Sequence, residues 1–156
     1  MSSVGSDSDA APSLADSLAP PRWRRLVPVL ALITWTAIVW TSRIRNVLAN
    51  DELTDVGRTG RIMLASSFLA LALAPIPAIV AYLRSPADRL ASRLGALRGL
   101  ATVLAGWTIA VWVVRGLMIG FGDWSVAFKL IHSALAATSI GLGAWVLAWA
   151  RRSRIL

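Results

Sequence analysis

The residues Val111 to Ser139, VWVVRGLMIGFGDWSVAFKLIHSALAATS, contain two long apolar segments joined by a short turn at Gly120 to Ser125. Apolar runs of this length without strand-like alternation predict two helices, and the glycines between them predict a tight connection. Four polar side chains lie within a few helical turns of that bend: Arg115, Asp123, Lys129 and His132. The hairpin is therefore where we look first for a binding site.

The composition predicts an integral membrane protein of one domain. Hydrophobic residues make up 56% of the chain and charged residues 15%, with a mean hydropathy of +0.65. A typical soluble domain has about 25% charged residues. No cysteine is present, which excludes disulfides and thiolate metal sites. Fifteen arginines against one lysine suggest GC-rich coding and favour a bacterial source.

Four apolar segments predict an all-α bundle of four transmembrane helices, at about residues 26–42, 62–83, 97–119 and 124–150. These segments belong to one domain, residues 22–156. Residues 1–21 are rich in Ser, Asp, Ala and Pro, and we expect them to form a disordered tail. Pro75 and Pro77 predict a kink in the second span. We expect no internal repeat.

The arginines predict the orientation of the chain. Ten lie on the side that holds both termini and the central loop, against six basic residues on the other side. The positive-inside rule therefore predicts cytoplasmic termini in a multi-pass protein of the bacterial plasma membrane. Because the arginines lie at the ends of apolar segments, the net charge of +8 indicates membrane placement and no nucleic acid. The first outer loop, residues 43–61, mixes arginines with acids and predicts a salt-bridged cap.

The central loop allows two interpretations. Ser85, Pro86 and Asp88 resemble a capping box, and leucines then recur at helical spacing. This segment is either a short amphipathic helix on the inner leaflet or the first turns of the third span. In either case we expect Arg84, Arg89 and Arg93 to contact anionic lipids.

Three basic side chains and one acid make the outer end of the third and fourth spans electropositive: Arg115, Lys129, His132 and Asp123. Such a corner suits a phosphate, a carboxylate or a quinone oxygen. In the alternative interpretation, Arg115 extends to the interface and pairs with Asp123 or a lipid phosphate, while His132 is a packing or interfacial residue. No catalytic or metal-binding motif occurs, and the spans contain no carboxylate, so we favour a non-enzymatic role.

The segment FKLIHSALAATSIG resembles the Lys-x-x-His helix start of the copper-resistance D and HemJ-like membrane families. The resemblance covers about a dozen residues. It implies that His132 is a haem or copper ligand with Lys129 beside it. Since this chain has one histidine and no cysteine, Met63, Met118 or the His132 of a second copy would provide the other ligand.

Three functional hypotheses follow. The first is an accessory or assembly subunit, bound to another membrane protein or to a second copy of itself. The second is a carrier of an anionic lipid or a quinone, with the ligand held by Arg115, Lys129 and His132. The third is a haem-binding redox protein that uses His132.

Overall fold

A computed structural model of the chain describes residues 21–51 and 54–152. All regular structure in these residues is helical, as predicted. The α-helices are α1 (Val27–Leu48), α2 (Asp55–Leu73), α3 (Pro75–Arg84), α4 (Leu90–Phe121) and α5 (Val126–Arg152), with 3₁₀ turns at Arg22–Leu26 and Ala87–Arg89. Residues 1–20, most of the predicted disordered tail, lie outside the described residues.

Within the described residues, four helical stretches are long and apolar enough to cross a membrane: Arg22–Leu48, Asp55–Arg84, Ala87–Phe121 and Val126–Arg152. We refer to them as the first to fourth spans. The large apolar side chains that remain exposed on them face lipid in this setting. The protein is therefore a multi-pass membrane protein in contact with the bilayer.

The helices continue beyond the apolar segments that predicted them. The helix α1 runs past Ser42 to Leu48, and α2 begins at Asp55, where the Thr54 hydroxyl accepts a hydrogen bond from the Gly57 amide. The first outer loop therefore consists largely of helix ends. Apolar length reports only the part of a helix that lies in hydrocarbon, so polar turns at either end are missed.

The segment after Ser85 belongs to the third span, which decides between the two interpretations of the central loop. A 3₁₀ turn leads directly into α4, whose Leu90 and Leu94 pack against the core. The predicted capping box at Ser85 is wrong. The Ser85 hydroxyl instead donates to the Ala81 carbonyl (2.6 Å), because a serine at a helix end can bond back to its own helix.

The helix of the second span is interrupted at Ala74, the residue before Pro75, although the Ala74 backbone itself stays helical. The helix α2 ends at Leu73 and α3 begins at Pro75. Neither Pro75 nor Pro77 has an amide hydrogen to donate, so the hydrogen-bond ladder breaks here.

The four spans form a closed antiparallel bundle in which each span contacts its neighbours in sequence. The helix α1 packs against α2 and α5, and α4 packs against α5, α3 and α2. We call the end that holds Arg22, the central loop and Arg152 the terminal end. The opposite end, with the turns at residues 49–54 and 122–125, is the hairpin end.

The terminal end of the bundle is the better packed of the two. Its core joins all four spans and includes Leu26, Val29, Leu32, Ile79, Tyr82, Leu97, Leu104, Val146 and Trp149. The Arg22 guanidinium donates to the Ser85 carbonyl (2.8 Å), which ties the start of the first span to the central loop. A smaller cluster of Trp40, Ala65 and Phe68 lies nearer the hairpin end.

Small residues bring α5 close to its neighbours. Ala136, Ser139 and Gly143 are buried on one face of α5. The Trp35 indole of α1 donates to the Ser139 hydroxyl (2.9 Å), and a Cβ at Gly143 would lie 2.9 Å from Ile109 Cγ1 of α4. Small side chains permit this close approach between helices.

Candidate binding groove

A cavity of about 460 Å³ lies between the first, third and fourth spans, towards the hairpin end. We call it the first groove. Its lining residues are Trp35, Ile38, Val39, Trp40, Ser42, Arg43, Asn46, Trp112, Arg115, Phe128, Ile131, His132 and Leu135. Most of this lining is apolar. Ile38 and Ile131 on its rim are 57% and 61% exposed, so the groove opens to lipid between the first and fourth spans.

Arg43 enters the first groove from a buried stripe of α1. Thr36, Trp40 and Val47 are each at most 5% exposed and share one helical face with Arg43, at spacings of three and four residues. The aromatic ring of Trp40 stacks on Phe68 of the second span, with centroids 4.0 Å apart. This packing turns the face that carries Arg43 towards the bundle. Arg43 lies about 8 Å along the helix axis from Leu48, the last residue of α1.

Arg115 occupies the corresponding position on α4. Its stripe consists of Thr108, Trp112 and Ile119, each at most 7% exposed. Trp112 contacts Trp40 across the bundle, with ring centroids 6.5 Å apart. Arg115 therefore lies inside the bundle, about 9 Å below the end of α4, and faces the same space as Arg43.

The two arginines create a local excess of positive charge. Arg43 and Arg115 line one cavity, so their like charges repel each other there, and Arg61 adds to the positive charge at this end of the bundle. Within residues 21–51 and 54–152, none of the three forms a hydrogen bond or an ion pair. The salt-bridged cap expected from the outer loop does not neutralise them in this part of the chain. Guanidinium groups without a partner in a partly apolar setting favour the binding of an anion.

His132 lines the first groove from α5. It is the third ring in a row of stacked aromatic side chains, each one helical turn after the last. Trp124 stacks on Phe128 (4.6 Å) and Phe128 stacks on His132 (3.8 Å). Because a carbonyl oxygen can only accept, the His132 Nδ1–H donates to the Phe128 carbonyl (2.9 Å). In the neutral ring, Nε2 is then the nitrogen left to accept a hydrogen bond.

Lys129 and Asp123 lie outside the groove lining. The Lys129 ammonium donates to the Gly120 carbonyl (3.2 Å) and so closes the end of α4. Asp123 is exposed in the turn, and no ion pair joins it to Arg115 in the described residues. Of the four candidate residues, the structure thus brings together Arg115 and His132.

Arg43 was not among the residues selected from sequence, because the predicted first span ended at Ser42. An arginine after the last apolar residue is usually read as an interfacial flank. The signal that could have found it is the spacing of Thr36, Trp40, Arg43 and Val47, which continues the helix through the arginine.

The groove does not supply a second axial ligand for haem. Neither Met63 nor Met118 lines it beside His132, and both are mostly exposed. Among the described residues, no group of three or more His, Cys, Asp or Glu side chains could hold a metal ion. The ligand set implied by the Lys-x-x-His resemblance is therefore incomplete within one chain.

The sequence matches no protein-family model, and comparisons with curated proteins and with solved structures give no match either. Functional inference for this chain therefore depends on its own residues and their geometry.

Proposed function

We propose that the protein binds or carries a membrane amphiphile with an anionic head group, in the first groove. The observation that supports this is the position of Arg43 and Arg115. Both project from buried stripes into the same apolar groove, and neither has an acidic partner in the described part of the chain.

The groove has the two chemical regions that such a ligand requires. Arg43, Arg115, Ser42 and Asn46 provide hydrogen-bond donors for a phosphate or carboxylate. Isoleucine, leucine and aromatic side chains line the remainder, where an alkyl chain would be shielded as it is in the bilayer. His132 Nε2 lies on the same lining and can contact a head-group hydroxyl.

Charge favours an anionic lipid over a quinone. A quinone is neutral and would leave the repulsion between Arg43 and Arg115 uncompensated. An anion between the two guanidinium groups removes that repulsion and forms charge-assisted hydrogen bonds, each worth about 1.5–3 kcal/mol. This difference makes the anionic amphiphile our preferred ligand class.

The test is binding of phosphatidic acid, measured by native mass spectrometry, to the wild type, Arg43→Gln and Arg115→Gln. Each substitution should weaken binding about 10- to 100-fold, the effect of one charge-assisted hydrogen bond. Arg45→Gln is the matched control, because Arg45 is exposed on the same helix and does not line the groove. Phosphatidylcholine, which has no net charge, should bind weakly to all four proteins. Equal retention of phosphatidic acid by every variant would show that this site is wrong.

We further propose that the protein lies in a bacterial plasma membrane with both termini in the cytoplasm, where Arg84, Arg89 and Arg93 contact anionic lipids. All three side chains are exposed at the terminal end. The Asp88 carboxylate near Arg89 (3.8 Å) is itself exposed, so this surface ion pair contributes little and leaves Arg89 able to contact lipid. Arginines beside an anionic leaflet are attracted by about 1 kcal/mol each.

An accessory or assembly role is compatible with this proposal. The exposed apolar side chains do not favour that role, because every lipid-facing helix has them.

A further inference from the structure

The buried stripes of the first and third spans carry a repeated sequence. Residues 32–47, LITWTAIVWTSRIRNV, and residues 104–119, LAGWTIAVWVVRGLMI, match without a gap. The identical pairs are Leu32 and Leu104, Trp35 and Trp107, Thr36 and Thr108, Val39 and Val111, Trp40 and Trp112, and Arg43 and Arg115. The expectation that the chain has no internal repeat is therefore wrong for these two spans.

The structure gives corresponding residues corresponding environments. Leu32 and Leu104 are fully buried, Thr36 and Thr108 are each 2% exposed, and Trp40 and Trp112 are 5% and 4% exposed. The first and third spans run parallel on opposite sides of the bundle, and Trp40 meets Trp112 between them. Matching residues of the first and third spans thus take matching positions in the bundle, and Arg43 and Arg115 are one such pair.

The repeat also relates the lining of the first groove to that of a second one. A cavity of about 350 Å³, which we call the second groove, is lined by Leu64, Trp107, Ala110, Val111, Val114, Arg115 and Met118. Six of these are the repeat counterparts of Trp35, Ile38, Val39, Ser42, Arg43 and Asn46, which line the first groove. The second groove lies between the second and third spans, on the opposite side of the bundle.

The two grooves differ in the polar residues at their head. Val114 stands in the place of Ser42, and Met118 in that of Asn46. Outside the repeat, the fourth span contributes His132 to the lining of the first groove, whereas the second span contributes Leu64 to that of the second. Arg115 lines both grooves. It is the charged residue that the second groove shares with the first. The second groove therefore has no separate set of donors for a head group, only the guanidinium that both grooves share.

We propose that the ligand is a two-chain anionic lipid, with its head group on the arginine pair and one apolar chain in each groove. This inference rests on the proposed function and adds the number of chains. A head group bound to Arg115 lies beside both grooves, and each groove offers an apolar wall that leads away from it. A single-chain amphiphile would use the first groove alone.

The test compares dioleoyl phosphatidic acid with its single-chain form, oleoyl lysophosphatidic acid, on variants that fill one groove. Val114→Trp blocks the second groove, and Val113→Trp is its matched control, since Val113 is the adjacent residue, is also exposed and lies outside both linings. Val114→Trp should weaken binding of the two-chain lipid about tenfold or more and leave the single-chain lipid unchanged. Val113→Trp should change neither. Ala110→Phe is a second variant, for use if Val114→Trp does not fold. It fills the second groove one helical turn away and should have the same effect on both lipids.

Variants in the first groove complete the experiment. Ile131→Trp should weaken both lipids, whereas Leu130→Trp, on the neighbouring exposed position outside the lining, should weaken neither. If Val114→Trp and Ala110→Phe leave the two-chain lipid unaffected, or weaken both lipids equally, the two-chain inference is overturned. The proposed function fails separately, if Arg43→Gln and Arg115→Gln retain both lipids.

Discussion

Arg43 and Arg115 occupy positions where the buried stripe of a helix normally holds an apolar side chain. Their neighbours along each stripe are at most 7% exposed, and the two guanidinium groups repel each other. An arginine within a membrane helix costs several kcal/mol unless it reaches water, lipid phosphate or a partner. We therefore expect the pair to destabilise the ligand-free protein, as residues at binding sites commonly do.

At the residue scale, the substitution Arg43→Met should therefore stabilise the ligand-free protein. Arg43 is partly buried and has no ion-pair partner within residues 21–51 and 54–152, so replacing it by an apolar side chain of similar length should raise the free energy of unfolding by about 1 kcal/mol or more. The measurement is thermal unfolding in lipid-free detergent, with Arg45→Met as the exposed control. Addition of phosphatidic acid should raise the melting temperature of the wild type more than that of Arg43→Met. A lower melting temperature for ligand-free Arg43→Met would indicate that Arg43 is a structural residue.

At the element scale, contact between α4 and α5 depends on the absence of a side chain at Gly143. A Cβ there would lie 2.9 Å from Ile109 Cγ1 and 3.3 Å from the Ala105 carbonyl oxygen. Both distances are shorter than an ordinary van der Waals contact, so either the side chain of Ile109 or the helices themselves must move apart.

The substitution Gly143→Ala should lower the free energy of unfolding by about 1–3 kcal/mol, the usual cost of overpacking. Gly141→Ala is the control, since no atom outside its own helix turn lies within 4 Å of the position that a Cβ would take there, and alanine favours helix. Gly141→Ala should be neutral or slightly stabilising. Urea or thermal unfolding in detergent measures both, and equal stability of the two variants would contradict the close packing of α4 on α5.

The sequence predicted the helical elements well and their ends less well. Uninterrupted apolar runs and the prolines of the second span were sufficient for four spans and one break. The ends were missed because helix continues through polar residues, such as those from Arg43 to Asn46, once it has left the hydrocarbon. Arg115 and His132 could be selected from sequence, whereas Arg43 required knowledge of which helical face is buried.

Lys129 is a residue that the sequence selected for the binding site but that the structure places outside the groove lining. Its spacing from His132 placed both side chains on one face of the fourth span. The side chain is long, however, and reaches back to the Gly120 carbonyl at the end of α4, where the helix leaves its last carbonyls without partners. Spacing alone could not reveal this acceptor, because it belongs to another helix.

At the scale of the whole molecule, the orientation in the membrane can be tested cleanly because the chain has no cysteine. Single cysteines at Asp51, in the hairpin-end turn, and at Ala87, in the central loop, place exposed thiols on opposite sides of the bundle. With cytoplasmic termini, a membrane-impermeant maleimide should label Asp51→Cys in intact cells and Ala87→Cys only after the membrane is opened. The reverse pattern would contradict the proposed orientation.

The central claim is that an anionic head group binds between Arg43 and Arg115. The most direct measurement is solid-state NMR of the protein, with ¹³C-labelled arginine, in membranes that contain phosphatidic acid. A bound phosphate should lie about 4 Å from the guanidinium carbons, since charge-assisted N–H···O bonds are about 2.8 Å long. We predict strong phosphorus–carbon coupling in the wild type that is markedly weaker in the Arg43→Gln/Arg115→Gln protein, where only surface arginines such as Arg84, Arg89 and Arg93 still contact lipid phosphate. Coupling of the same strength in both proteins would assign the contact to surface arginines and contradict the claim.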